Sequence, residues 1–158
     1  MKTLITITLA LLVGASTMAA NSKPFANQLT LKGTGDGVLV GIKFFEGTWA
    51  EALEKAKKDK KIIFLDAYAA WCGPCKRMSA YTFTDEKVGA YFNEHFISYK
   101  MDMEKHADGP RLTKNYGLTA YPTLYFVDSE ENIVHQTLGY MEPAQLIAAG
   151  EAAVSKKK

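Results

Sequence analysis

Residues 62–76 read IIFLDAYAAWCGPCK, the most informative segment of the chain. It opens on four consecutive apolar residues, a run too short for a buried helix and suited to a central strand covered on both faces. The chain's two cysteines, Cys72 and Cys75, follow within a few residues. Pro74 favours a helix start between them, because a proline lacks only an amide hydrogen that the first turn does not use. The stretch therefore predicts a buried strand followed by a helix that starts within the cysteine motif.

The cysteine spacing predicts thiol chemistry. A thiolate attacks disulfides, and the unpaired N–H groups at a helix start favour negative sulfur, so Cys72 is the predicted nucleophile. Cys75 comes about one helical turn later, near enough to bridge Cys72 and expected to lie deeper, so it is the predicted resolving thiol. Gly73 lets a substrate chain approach closely.

The first residues follow the pattern of a signal peptide. Lys2 precedes an apolar run at residues 4–13, and small residues follow up to Ala19 and Ala20. Residues 1–20 are therefore predicted to be cleaved and the protein exported to the periplasm, or alternatively secreted. A retained membrane helix is the competing interpretation, but the run is short for a hydrocarbon core about 30 Å thick. Without a cysteine at this boundary, a cysteine-linked lipid anchor is excluded.

Export leaves a purely structural disulfide as the main alternative for the cysteine pair, because oxidising compartments allow such bridges to persist. A metal site is the second alternative. His95, His106 and His135 lack the paired spacing of a structural zinc centre, so each is predicted to be a surface or packing residue and no metal is expected.

Length and charge limit the remaining possibilities. A chain of 158 residues with 47% apolar residues suits one domain, predicted at 38–155 between a flexible lead-in at 21–37 and a basic tail at 156–158. The formal charge of +2 would fall to +1 with loss of Lys2, which leaves no footprint for nucleic acid. The glycine-rich segment 33–37 lacks the context of a phosphate loop.

The remaining pattern predicts the order βαβαβαββα, in which the first strand lies near Val38. The later elements are a helix capped by Thr48 and running to about 59, a helix to about 80 with a break at 82–84, renewed helical spacing at 88–92, a strand at 96–101, a helix at 111–116 ending at Gly117, strands at 123–127 and 133–138, and a last helix from Pro143. In that last helix Leu146, Ile147 and Val154 are predicted to face inward, while Gly150 weakens it.

The segment WCGPCK at 71–76, following a buried strand that contains Asp66, resembles the active-site sequence of the thioredoxin family. The resemblance runs from about residue 44 to 154. It includes the segment AYPTL at 120–124, which is similar to the family's cis-proline loop, and Gly139 after the final strand. It implies a three-layer α/β/α fold with a central mixed sheet.

The resemblance also implies roles for particular residues. The bond before Pro122 is expected to be cis, which is otherwise uncommon, and its loop to pair with an extended substrate. Asp66 is expected to relay a proton for Cys75, with Lys100 nearby on the next strand or, alternatively, merely a solvated charge. The implied substrate-binding residues are Trp71, which also shields the nucleophile, Gly73, Pro74, Tyr121 and Pro122.

Softer similarities, at Tyr68 and at 76–78, 82–83 and 102–105, point to exported thioredoxin-like proteins and the terminal domains of membrane disulfide reductases. They imply a monomeric thiol–disulfide oxidoreductase with no cofactor beyond the Cys72–Cys75 disulfide. Its substrates would be protein disulfides, and a membrane thiol–disulfide protein would supply electrons. Gly73-Pro74 resembles the reducing members, so a reductase is predicted. Isomerase or oxidase activity, and a redox-sensing binding module, are the alternatives.

Overall fold

The computed structural model describes residues 41–157, so the predicted leader and lead-in lie outside the described residues. The elements are α1 (Trp49–Asp59), β1 (Ile62–Tyr68), α2 (Gly73–Arg77), a π-helical turn (Met78–Thr82), α3 (Glu86–His95), β2 (Phe96–Asp102), α4 (Gly109–Tyr116), β3 (Thr123–Val127), β4 (Ile133–Leu138) and α5 (Pro143–Lys156). The first lysine of the predicted tail therefore belongs to α5. Between residues 41 and 157, no helix is both long and apolar enough to cross a membrane.

The four strands form a mixed sheet in the order β2-β1-β3-β4. β1 is parallel to β2 and antiparallel to β3, and β4 is antiparallel to β3. Alternate side chains of β1 enter two apolar cores on opposite faces of the sheet, one shared with α1 and α4 and the other with α3 and α5. The predicted mixed sheet between two helical layers is confirmed, and β1 is covered on both faces as its apolar run indicated.

Several local predictions are also confirmed. Thr48 caps α1 through a reciprocal capping box with Glu51. α4 ends at Gly117, whose φ of 62° lies in the left-handed region that favours glycine. The predicted break in the helix after Cys75 is confirmed, and α3 follows it, capped by Asp85, whose carboxylate accepts two backbone N–H groups.

The strand predicted near Val38 lies outside the described residues, and the described residues that precede α1 form no regular strand. Phe44 makes only a single parallel bridge to Ser98 of β2. Just before it, Gly41 adopts a φ of 99°, and the N–H of Ile42 bonds to the carbonyl of Phe83 rather than to a strand. Among the described residues before α1, strand pairing is therefore limited to this bridge.

The predicted inward face of α5 is confirmed at Leu146 and Ile147 but wrong at Val154. Leu146 is buried and Ile147 is partly buried, but Val154 is exposed. Gly150, expected only to weaken the helix, is buried against aromatic rings, and a Cβ there would lie 2.9 Å from a ring carbon of Tyr91. Close packing against these rings therefore selects a small residue at a position where apolarity alone favours a larger one.

Gly89 of α3 provides a stability test of this packing. A Cβ at this position would overlap the backbone carbonyl of Gly41, so the helix approaches the chain closely there. We expect Gly89→Ala to lower the free energy of unfolding by about 2 kcal/mol, because overpacking outweighs the gain in helix propensity. Urea denaturation would measure it.

The control is Ala90→Gly, at the neighbouring exposed position of the same helix. It is expected to cost about 1 kcal/mol through propensity alone. A Gly89→Ala protein more stable than its parent would show that the close approach does not constrain this position.

Candidate active site

Cys72 and Cys75 form a disulfide with their Cα atoms 5.3 Å apart. Cys72 is the N-cap residue of α2, and its sulfur accepts the backbone N–H of Cys75 at 3.2 Å. The predicted placement of the first sulfur at a helix start is therefore confirmed. The expectation that Cys75 lies deeper is wrong for the disulfide form: Cys72 is 2% exposed and Cys75 3%, because the bridge draws both sulfurs against Ala69 and Tyr121.

The two intervening residues leave the surface above the pair open. Pro74 lies in the first turn of α2 and is exposed, as its missing N–H allows. Gly73 is exposed as well, and a Cβ there would meet no atom of residues 41–157 within 4 Å. A substrate backbone can therefore approach Cys72 from this side.

Trp71 and Tyr121 form an aromatic wall beside the cysteines. Trp71 is 67% exposed, and its ring meets that of Tyr121 edge-on with centroids 5.7 Å apart. Tyr121 in turn packs against the disulfide. Burial, followed by the charge of Glu104, raises the pKa of Tyr121, so the phenol stays neutral. The wall is a rigid, largely apolar surface against which a peptide can lie.

The bond between Tyr121 and Pro122 is cis, as the resemblance implied. Thr123, the next residue, starts β3 and pairs with Ala67 near the end of β1 that leads to the cysteines. The carbonyl of Pro122 accepts the N–H of Gly139, which holds the loop against the end of β4. The sheet thus carries the proline loop and the cysteine turn at the same end.

Asp66 lies on β1 directly opposite Lys100 of β2, and the Lys100 ammonium is 2.9 Å from its Oδ2. Asp66 is buried, and its Oδ1 has no hydrogen-bond partner among the described residues. Burial raises the pKa of Asp66, while the charge and hydrogen bond of Lys100 oppose that rise. The interpretation of Lys100 as a merely solvated charge is therefore wrong, although its part in catalysis stays a prediction.

The Lys100 ammonium is held by more than Asp66. It donates to Ser79 Oγ at 2.7 Å and lies over three aromatic rings, those of Tyr68 at 4.9 Å, Phe83 at 5.1 Å and Phe44 at 5.3 Å. Cation–π attraction of this kind favours a fixed, charged lysine. Lys100, Ser79 and Cys75 all line one groove of about 480 Å³, so the lysine of the ion pair and the resolving cysteine border the same space.

Glu104 is a site residue to which the sequence assigned no role. The indole N–H of Trp71 donates to both of its carboxylate oxygens at 3.0 Å, which fixes the ring against Tyr121. The N–H of Glu104 itself bonds to Asp102 Oδ1, so the loop after β2 is ordered around this contact. Glu104 thus positions the aromatic wall.

We expect Glu104→Ala to release the Trp71 ring, raise KM for a protein disulfide about fivefold and leave kcat nearly unchanged, since a charge-assisted hydrogen bond contributes roughly 1 kcal/mol at such a site. Steady-state kinetics would measure KM and kcat separately. Tryptophan emission gives a second readout, because the other tryptophan, Trp49, is buried and bonds Glu131 instead.

Glu104→Gln is the matched control, because its amide oxygen still accepts the indole N–H. It should keep a KM near that of the parent protein. If Glu104→Ala changed neither KM nor the emission, Glu104 would not position Trp71.

The three histidines lie away from the cysteines, and each contacts another side chain, namely Tyr91 for His95, Tyr99 for His106 and Lys156 for His135. Within residues 41–157, no group of three or more His, Cys, Asp or Glu side chains is arranged to hold a metal ion.

Comparison with known proteins shows which class of protein this chain belongs to. A thioredoxin-like family model matches residues 45–129. The thiol:disulfide interchange protein DsbD of Yersinia pestis is 31% identical over 94 residues, covering 58% of this chain but only 16% of that relative. Thioredoxin H4 of Arabidopsis thaliana is 34% identical over 91 residues, covering 58% of this chain and 71% of that relative.

Comparison with solved structures gives the same class of protein. A protein described as a disulphide isomerase, from Bacteroides thetaiotaomicron, has a TM-score of 0.65 and 40% identity, covering 75% of this chain and 97% of that one. The oxidised C-terminal domain of Neisseria meningitidis DsbD has a TM-score of 0.56 and 30% identity, covering 69% and 97%.

The fold, the Cys-X-X-Cys disulfide and these relatives define a thiol–disulfide oxidoreductase. The chain belongs to the thioredoxin-like family, as the resemblance at residues 71–76 indicated. It spans about one sixth of the length of the DsbD relatives it matches, at 16%.

Proposed function

We propose that the protein reduces protein disulfides outside the cytoplasm, with Cys72 as nucleophile and Cys75 as resolving thiol. The observation that carries this proposal is the hydrogen bond from the Cys75 N–H to the Cys72 sulfur at the start of α2. In the reduced protein the same donor and the helix dipole stabilise a Cys72 thiolate, which is the form that attacks a disulfide.

The cycle balances with the two cysteines alone. The Cys72 thiolate attacks one sulfur of the substrate disulfide, a mixed disulfide forms, and the other substrate sulfur leaves as a thiolate. Cys75, as a thiolate, then attacks the Cys72 sulfur, which forms the observed Cys72–Cys75 disulfide and releases the second substrate thiolate. Two electrons pass from the dithiol to the substrate, so no bound cofactor is required.

Cys75 must lose a proton before it can attack. We assign this proton to Asp66, whose raised pKa makes its carboxylate a better acceptor than an ordinary aspartate. Lys100 keeps Asp66 paired while it is charged. The groove that Lys100 shares with Cys75 supports this relay.

Substrate binding is assigned to the surface around Cys72. An extended chain would pair with the backbone of the Tyr121–Pro122 loop, in the manner of strand addition. It would lie against Trp71 on one side and cross the open surface at Gly73 and Pro74. This arrangement places the substrate disulfide over the nucleophile.

The location and partners belong to the same proposal. The predicted signal peptide supports export to the periplasm. The similarity to DsbD, named a thiol:disulfide interchange protein, supports a membrane thiol–disulfide protein as electron donor. We propose that the protein works as a monomer.

Disulfide isomerisation is the second candidate, favoured by the 40% identity to the protein described as a disulphide isomerase. The reduction potential separates the two functions. Equilibration against thioredoxin and glutathione buffers should give a value below about −230 mV for a reductase, whereas a value above about −180 mV would indicate an isomerase or oxidase.

A redox-sensing binding module would not turn over. Insulin reduction with dithiothreitol as electron source tests this directly, because an enzyme accelerates precipitation of the insulin chains. Absence of acceleration at catalytic concentrations would favour the module.

A further inference from the structure

A groove of about 610 Å³ lies at the end of the domain away from the cysteines, beside Ile62 at the start of β1. We call it the lysine groove, because the ends of α1 and α5 supply Lys57, Lys60, Lys61, Lys156 and Lys157 to its lining. The lining contains two acidic residues, Asp128 and Glu130. Because five lysines face two carboxylates in this lining, positive charge dominates the groove.

A neighbouring histidine is affected by this positive charge. His135 Nδ1 lies 3.2 Å from the Lys156 ammonium. Burial, followed by the charge of Lys156, lowers the pKa of His135. The lowered pKa favours the neutral imidazole, so the positive charge of the groove comes from its lysines alone.

Lys60 adopts a left-handed backbone conformation, which is unfavourable for a lysine. It caps α1 in the left-handed region, at φ 52° and ψ 40°, where glycine or asparagine is usual. Its N–H closes the helix with the carbonyls of Ala56 and Lys57, which glycine would do equally well. Stability of the fold therefore does not account for a lysine here, and such local conflicts mark positions retained for function.

The helix dipoles explain the presence of only some of the residues that line the lysine groove. Basic residues in the last turns of α1 and α5 stabilise the helix ends, which accounts for Lys57 and Lys156. They account neither for Lys60 nor for Ile133, a large apolar residue that lines the same groove and is 39% exposed. Lysines around an exposed apolar side chain suit the interface of an anionic bilayer, where headgroup phosphates meet the ammonium groups and the apolar group inserts below them.

We propose that the lysine groove docks this protein on an anionic phospholipid surface. β1 runs from the groove at Ile62 to Tyr68 beside the cysteines, a length of about 20 Å at the rise of a strand. Docking by the groove therefore leaves Cys72 facing away from the lipid. The inference is independent of the proposed function, because no residue of the groove belongs to the redox site.

The test is flotation with phosphatidylcholine vesicles that either contain or lack phosphatidylglycerol, at several sodium chloride concentrations. Parent and variants are prepared identically, so that their N-terminal residues contribute equally. Each lysine near such a surface contributes about fivefold, so Lys57→Gln/Lys60→Gln should weaken binding to the anionic vesicles roughly twenty-fivefold. The matched control, Lys87→Gln/Lys114→Gln, removes the same charge from exposed positions outside the groove and should change binding less than about twofold.

Equal losses in the two double variants, or equal binding of the parent to vesicles without phosphatidylglycerol, would overturn the proposal. Tighter binding to a DNA duplex than to anionic vesicles at the same salt would also overturn it, by assigning the groove to nucleic acid. Insulin reduction in solution should be unchanged in both double variants, so the outcome does not depend on the redox activity.

Lys60→Gly separates binding from folding. It should raise the midpoint of thermal unfolding, because glycine adopts the left-handed conformation without strain, and weaken vesicle binding about fivefold. A variant that gained stability but bound anionic vesicles as well as the parent would show that Lys60 has no part in docking.

Discussion

Cys72→Ser should abolish the reduction of insulin by dithiothreitol, whereas Cys75→Ala should abolish turnover but retain the first chemical step. The reason is positional: the sulfur that accepts the N–H at the start of α2 is that of Cys72, and serine at this position is far too weakly acidic to supply the nucleophile. Turnover is measured by insulin precipitation, and the first step by mass spectrometry of the protein–substrate mixed disulfide.

The two variants differ in what they accumulate. Cys75→Ala lacks the thiol that resolves the intermediate, so a mixed disulfide through Cys72 should persist until a reductant is added. Ala69→Gly, at a buried position packed against the disulfide, serves as a control for disturbed packing and should retain turnover. Mixed disulfides formed through Cys75 in Cys72→Ser, at the rate of the parent protein, would contradict the assignment of the nucleophile.

Lys100→Met should lower the free energy of unfolding at neutral pH by about 3 kcal/mol, because it leaves the buried Asp66 carboxylate without its cation. This is the lower end of the range for buried pairs, since the Lys100 side chain is 28% exposed. Urea denaturation as a function of pH would measure it.

The expected pH dependence follows from the pKa of Asp66. Burial already raises that pKa in the folded protein, and removing Lys100 raises it further. The unfolded chain then releases its proton at lower pH than the folded one, so stability falls as pH rises above about 4, the ordinary value for aspartate. The deficit of Lys100→Met should therefore be small near pH 4 and largest at neutral pH.

A double variant separates the effect of the unpaired Asp66 charge from the effect of losing the lysine's packing. Asp66→Leu/Lys100→Met replaces the pair by apolar groups and should be within about 1 kcal/mol of the parent protein, or more stable than it. If it were as unstable as Lys100→Met, the lysine would act by packing against its aromatic rings rather than by pairing with Asp66.

The parts of the site that the sequence predicted depend on local pattern. A short apolar run predicted β1, and Pro74 after Cys72 predicted the start of α2, because each is decided by neighbours in the chain. The cis bond before Pro122 followed from the resemblance, since local pattern favours trans.

The parts that it missed depend on contacts between distant residues. Glu104 is 33 positions from Trp71, and no periodicity links them. The rings around Lys100 come from three separate segments, of which Phe44 lies before α1. The packing role of Gly150 in α5 was missed for a related reason, because the aromatic rings opposite it belong to α3 and its end.

The near-complete burial of both sulfurs in the disulfide has a consequence for how the protein regains its electrons. A small thiol that diffuses freely finds almost no exposed sulfur surface to attack, because Cys72 and Cys75 are buried. A folded donor protein can bind the aromatic wall of Trp71 and Tyr121, which keeps its thiol close to the disulfide until a local movement exposes a sulfur. Because exchange rates depend on access, we expect a folded donor whose surface fits that wall to reduce the disulfide faster than the same concentration of a small thiol, which reaches it only when supplied in excess, as in the insulin assay.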